Sequence, residues 1–167
     1  MLRDAQNWID SIPPVTRYLS ITTVIFSLGS SFKIISPVQL MLIWPEVFNL
    51  QVWRLATCHL LSGGQDLIWH IIMLYQNSIS LETNHFAVRP WDYLTTIIMI
   101  MGSLDLIAFA MGIPVMTQAF GMAITTLYSL IQGDAIVSFM FGLRFPAKFL
   151  PWVLLAFNVV MGGNLYE

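Results

Sequence analysis

The chain has 167 residues, 57% of them hydrophobic and 10% charged, with a formal net charge of −2 and a mean hydropathy of +0.74. Soluble domains carry about 25% charged residues, and a water-facing fold of this size could not cover so much apolar surface, so a soluble globular domain is excluded. No basic run is present, which excludes a nucleic-acid partner, and the length allows one compact membrane domain rather than two.

Five apolar stretches are predicted to be helices, because a backbone in lipid must satisfy its polar groups within the segment and the alternating pattern of a membrane barrel is missing. The N-terminal MLRDAQNWIDSIPPVTR sets Asp4, Asp10 and Pro13-Pro14 before the first stretch. A secretory signal starts basic and runs directly into an apolar core, so the first span is expected to be retained. That span, Tyr18 to Phe32, lies between Arg17 and Lys33. As a helix it reaches about 22 Å, against a hydrocarbon core of roughly 30 Å. Either the flanking cations snorkel or the bilayer thins around the span.

From Ile34 to Gln65 the chain is too apolar for a solvated loop and too broken for a span. It reads as a loop in the membrane interface with short, partly embedded helices. Within it Arg54, next to Trp53, is a cation in apolar surroundings and needs a carboxylate, loop carbonyls or lipid headgroups as partner. Glu46 is one candidate. Cys58 is the single cysteine; it excludes an intramolecular disulfide and reads as a small buried hydrophobe.

The second span runs from about Leu67 to Leu81 and contains His70, Gln76 and Asn77. Asp66 and His70 stand at i, i+4 and could share a face. A metal site would need more ligands, and no His-Glu-x-x-His or Cys pair supplies them, so neither a metal nor another cofactor is expected. The third span, Tyr93 to Ile113, carries Asp105, which either lines a polar pathway or marks the membrane surface if the span ends near Leu104. The fourth span, Pro114 to Ile131, includes Gln118, and the fifth, Phe149 to Met161, includes Asn158. These amides line a hydrophilic cavity or tie helices together. Between the last two spans, Asp134 to Lys148 alternates Phe139, Phe141 and Phe145 with small or polar residues, a second interfacial element at the opposite surface. Arg3, Arg17, Arg89, Arg144 and Lys148 fall on one side and Lys33 and Arg54 on the other, which predicts a cytosolic N-terminus. The six tryptophans sit mostly near span ends, as an interfacial belt requires. No Asn-x-Ser/Thr sequon is present to report the side of any loop.

Several segments, in order, resemble the Derlin family of rhomboid-like proteins. They are Ser11-Ile12-Pro13-Pro14-Val15-Thr16-Arg17-Tyr18, Ile35-Ser36-Pro37 with Trp44-Pro45-Glu46, Gln51-Val52-Trp53-Arg54, and Tyr75-Gln76-Asn77-Ser78 through Leu81-Glu82. Further on come Arg89-Pro90-Trp91-Asp92-Tyr93-Leu94, then Ile136-Val137-Ser138-Phe139 with Phe141-Gly142, and Phe149-Leu150-Pro151-Trp152. The resemblance implies an all-α integral membrane fold: a rhomboid-like helical bundle, about five transmembrane helices here against six in the family core, with interfacial helices in the lumenal loop. It implies one membrane domain over residues 1–167, without the sixth span and the cytosolic tail.

The implied function is non-catalytic assistance to endoplasmic-reticulum-associated degradation in the endoplasmic-reticulum membrane. Misfolded proteins would be recognised and retrotranslocated to the cytosol, through a polar groove and a locally thinned membrane. Trp53, Arg54, Asp66, His70, Gln76, Asn77, Asp105, Gln118 and Asn158 are the candidates for the groove and its loop. Asp66 and His70 align, without gaps from Glu82, with the oxyanion His and Asn of active rhomboids. The implied partners are misfolded substrates, lipid, an ER ubiquitin-ligase complex and other copies or relatives of the chain. Recruitment of the AAA ATPase valosin-containing protein belongs to the missing tail.

Active rhomboids use a Gly-x-Ser-Gly serine on span four with a histidine on span six. Here Thr117-Gln118-Ala119-Phe120-Gly121-Met122 has no serine, and Ser129 lacks flanking glycines, so no peptidase activity is expected. The alternatives are an intramembrane hydrolase with another nucleophile, or a small channel or transporter, whose inverted repeat is not visible.

Overall fold

The computed structural model describes residues 11–62, 66–138 and 144–160. Helix α1 spans Pro14–Ser31, and three short helices follow in the long loop, α2 (Pro37–Leu40), α3 (Trp44–Phe48) and α4 (Arg54–Thr57). Helix α5 (Asp66–Ser80) runs on into a π-helical turn, Leu81–His85. Helices α6 (Pro90–Met111) and α7 (Thr117–Gln132) come next. A two-stranded antiparallel hairpin pairs β1 (Ile136–Ser138) with β2 (Arg144–Pro146) in the register Val137 to Phe145. A 3₁₀ turn, Ala147–Phe149, leads into α8 (Leu150–Val160). The predicted helices are present with shifted ends, and the expected interfacial element at 134–148 contains a hairpin.

The buried face of α1 is polar and small: Thr16, Thr23 and Ser27 are 0% exposed, whereas Tyr18 and Ile25 are 71% and 57% exposed. A soluble helix shows the reverse arrangement. Small hydroxyl side chains let backbones approach and bond across helices, which is how helices associate where lipid already satisfies the apolar side chains. Helix α6 gives the same result. Its mean hydropathy is 2.0, yet only 17% of its apolar stretch is buried by protein, and it is the one helix among the described residues long and apolar enough to cross a membrane by itself. Met99, Leu106 and Phe109 all face outward. Water would penalise that surface by about 25 cal/mol per Å²; hydrocarbon does not. The solvent of this fold is lipid.

Where the interior is apolar, Leu19, Leu60, Leu74, Leu81, Tyr93, Ile97, Phe120 and Ile124 join α1, the loop, α5, α6 and α7 into one core. Helix α5 lies between α1 and α7. Two contacts fix the alternation of the helices. Glu82, just beyond α5, reaches the start of α1 at Thr16, and Thr117, at the start of α7, bonds the loop carbonyl of Leu61. The connection from α6 to α7 turns at Gly112, whose φ of +71° lies in the left-handed region. There its N–H closes on the Ala108 carbonyl at 2.8 Å; a side chain would be strained at this position.

Candidate functional site

Helix α1 begins at consecutive prolines, and Pro13 has no side chain able to cap it. The first N–H groups of a helix need an acceptor, and Glu82 supplies it from across the bundle. Its carboxylate accepts the Val15 N–H at 3.0 Å, the Thr16 N–H at 2.7 Å and the Thr16 hydroxyl at 2.7 Å. The negative charge also lies at the positive end of the α1 dipole.

At the opposite end of the bundle the long loop is fastened mainly through its own carbonyls. Arg54 is buried; its Nη1 donates to Val38 O at 2.6 Å and Met41 O at 2.9 Å, and its Nε to Gln51 Oε1 at 2.7 Å. The guanidinium thus meets loop carbonyls, and Glu46 acts at one remove, accepting from Gln51 Nε2 at 3.0 Å. Thr57 donates to Leu40 O and Ser27 to Leu60 O, while the Ser62 N–H donates back to Ser27 Oγ. Thr117 donates to Cys58 O and Leu61 O. Trp53, next to Arg54, is 54% exposed and presents its ring outward.

Beneath this loop lies Asp105. Helix α6 continues past Leu104 to Met111, so Asp105 does not mark the end of the helix. It is buried against the loop, with His59 Nε2 at 3.2 Å and Cys58 Sγ at 3.7 Å from its Oδ1. Sequence reading singled out Asp105 but missed His59 and any polar role for Cys58, because the partners are 46 and 47 positions away. Burial pushes the Cys58 thiol well above its ordinary range, and the Asp105 carboxylate pushes it further the same way. A nucleophilic cysteine needs a base beside it and a lowered pKa. Here a carboxylate stands between thiol and imidazole, so the order is wrong for thiol activation.

The remaining candidates separate into different environments. Asn77 is buried and donates to Thr125 Oγ1 at 2.8 Å, tying α5 to α7. His70 packs against Gly121 of α7; a Cβ built there would lie 2.9 Å from its Cε1. Gln76 and Gln118 are exposed rather than turned inward. The side chains of Asp66 and Asn158 lie outside the described residues, and with them the expected Asp66–His70 pairing. The structure therefore brings together Arg54 with the loop, Asp105 with Cys58 and His59, and Asn77 with Thr125.

A sequence model of the Der1-like family matches residues 12–167. Derlin-1 of Homo sapiens is 36% identical over 171 residues, covering 98% of this chain and 68% of the relative. Derlin-1 of Caenorhabditis elegans is 32% identical over 167 residues, with 96% and 68% covered. An uncharacterised derlin-like protein of Schizosaccharomyces pombe is 32% identical over 161 residues, with 95% and 72% covered.

Proposed function

The chain belongs to the Der1-like family, and from that premise we propose that it is a non-catalytic, multi-pass protein of endoplasmic-reticulum-associated degradation, recognising misfolded proteins and easing their passage to the cytosol. The observation that carries this reading is the placement of polar groups. Buried hydroxyl, amide and carboxylate side chains at Thr16, Thr23, Asn77, Thr125 and Asp105 face the interior of a fold whose outer surface is apolar. These groups pair within the bundle, Thr16 with Glu82, Asn77 with Thr125 and Asp105 with His59, so a hydrophilic segment that hydrocarbon rejects would be received by exchanging those bonds for its own. The loop held by Arg54 would form the lumenal rim of the groove, with Trp53 at its edge.

Arg17, Arg89 and Lys148 belong to the end of the bundle that carries Glu82, and Lys33 and Arg54 to the loop end. That distribution supports a cytosolic N-terminus. The non-catalytic assignment rests on the Gly-x-Ser-Gly serine missing from Thr117-Gln118-Ala119-Phe120-Gly121-Met122. A serine-directed activity probe should leave the protein unlabelled.

Membrane thinning by short helices is the second part of the proposal. Helix α1, Pro14–Ser31, spans about 27 Å, of which the apolar run is shorter still. Lengthening that run by four leucines after Ile25 should slow the turnover of a misfolded lumenal reporter in cells relying on this chain. Unchanged turnover, with the lengthened protein still inserted at normal abundance, would rule thinning out.

A further inference from the structure

Among the described residues, Cys58, His59 and Asp105 form the group of potential metal ligands, all buried, with one donor atom from each lying within 4.8 Å of the others. Cys58 and His59 come from the turn after α4, and Asp105 comes from α6, six residues before its end at Met111. The geometry points to a zinc-class divalent cation site in which Cys58, His59 and Asp105 are three ligands stapling the long loop to α6.

The spacing fits. Zinc bonds sulfur at about 2.3 Å, imidazole nitrogen at about 2.0–2.1 Å and carboxylate oxygen at about 2.0–2.2 Å in tetrahedral sites. Those lengths set ligand-to-ligand edges of about 3.4 Å for nitrogen to oxygen and about 3.6 Å for sulfur to oxygen. The observed edges are 3.2 Å from His59 Nε2 to Asp105 Oδ1 and 3.7 Å from Cys58 Sγ to the same oxygen. Two of the three edges of a tetrahedral face are already within a few tenths of an ångström of these lengths, and the third, from sulfur to imidazole nitrogen, is within 4.8 Å.

Charge and donor type agree with that spacing. A thiolate, a carboxylate and a neutral imidazole around a divalent ion sum to zero, the balance a low-dielectric interior tolerates best. On binding, the cation replaces the proton of the Cys58 thiol, which leaves to solvent. One thiolate with one imidazole suits zinc, whereas magnesium and calcium prefer all-oxygen shells. With Nε2 on the metal the His59 proton sits on Nδ1, which is buried with no hydrogen-bond partner among the described residues; ligating imidazoles usually donate there, so this orphan N–H is a cost that the three metal bonds must offset. The fourth position is left to water or to the Leu55 carbonyl, 3.5 Å from the sulfur. The site joins residues 46 and 47 positions apart, so its occupancy would set how firmly the loop is tied down.

The test uses the full chain, untagged by histidines, purified in detergent micelles without chelator. Metal content is read by mass spectrometry, and cobalt(II) is then titrated into chelator-stripped protein. We expect one zinc per chain, and with cobalt a thiolate-to-metal charge-transfer band. The chain has one cysteine, so such a band assigns Cys58 without any variant. Cys58→Ser and Asp105→Asn should each weaken binding by at least about 100-fold, since even outer partners of metal ligands are worth about 10- to 100-fold. Cys58→His should recover zinc binding without the band. Folded protein that shows no saturable zinc or cobalt binding overturns the site. So does stoichiometric binding without the charge-transfer band, or binding that Cys58→Ser leaves unchanged.

Discussion

Replacing Glu82 with alanine removes the acceptor of three bonds to the first turn of α1, at 3.0, 2.7 and 2.7 Å, from a position where Glu82 is 3% exposed. Hydrogen bonds to charged groups contribute about 1.5–3 kcal/mol each in soluble proteins, while polar contacts between membrane helices average about 0.6 kcal/mol. Three such bonds bracket the loss between about 2 and 9 kcal/mol. Val15 is half-buried, so water can take over its N–H, but Thr16 is fully buried and its two donors stay unsatisfied. We therefore expect about 3–5 kcal/mol for Glu82→Ala. Glu82→Gln keeps one acceptor oxygen but turns an amide NH₂ towards a main-chain donor, and should cost about half as much. The assay is reversible unfolding in mixed detergent and dodecyl sulfate micelles, followed by tryptophan fluorescence. A double-mutant cycle with Thr16→Val isolates the hydroxyl contact, with an expected coupling of about 1 kcal/mol. If Glu82→Ala lost less than about 1 kcal/mol, the start of α1 would not be held by this carboxylate.

Arg54→Lys keeps the charge but replaces the planar fork that reaches Val38 O, Met41 O and Gln51 Oε1. A loss of about 2 kcal/mol and faster proteolysis within residues 38–53 should follow, and an unchanged cleavage pattern would contradict the fastening role. Gly121→Ala gains about 1 kcal/mol of helix propensity. Its Cβ, however, meets the His70 ring at 2.9 and 3.1 Å, an overpacking worth about 1–3 kcal/mol. The net effect should be destabilising in the same unfolding assay, and His70→Ala should reverse its sign; stabilisation by Gly121→Ala alone would contradict the close approach.

Element existence was legible in the sequence because apolar runs long enough for helices are bounded by prolines, glycines and charges. The ends were less so. Helix α1 starts at Pro14 rather than Tyr18, since an acceptor far along the chain completes a turn that local residues cannot cap. The hairpin pairing Ile136–Ser138 with Arg144–Pro146 is legible only as a surface element, because three-residue strands are too short to separate strand from loop by alternation; Phe139 and Phe141 lie outside the described residues. Arg54's need of a partner was plain from desolvation, but the choice of Val38 and Met41 carbonyls over the Glu46 carboxylate depends on how the loop folds. His59 gave no local signal at all. Its chemistry comes from Asp105, which the fold delivers from another helix.

The loop's fasteners grip main-chain oxygens: those of Val38, Leu40, Met41, Cys58, Leu60 and Leu61. A main-chain oxygen is present whatever the residue. Exposed positions such as Val38 can therefore change identity without loosening the clasp, and the loop's outer surface can vary while its shape stays the same. The constraint falls on a few gripping side chains, Ser27, Arg54, Thr57 and Thr117, rather than on the residues they hold.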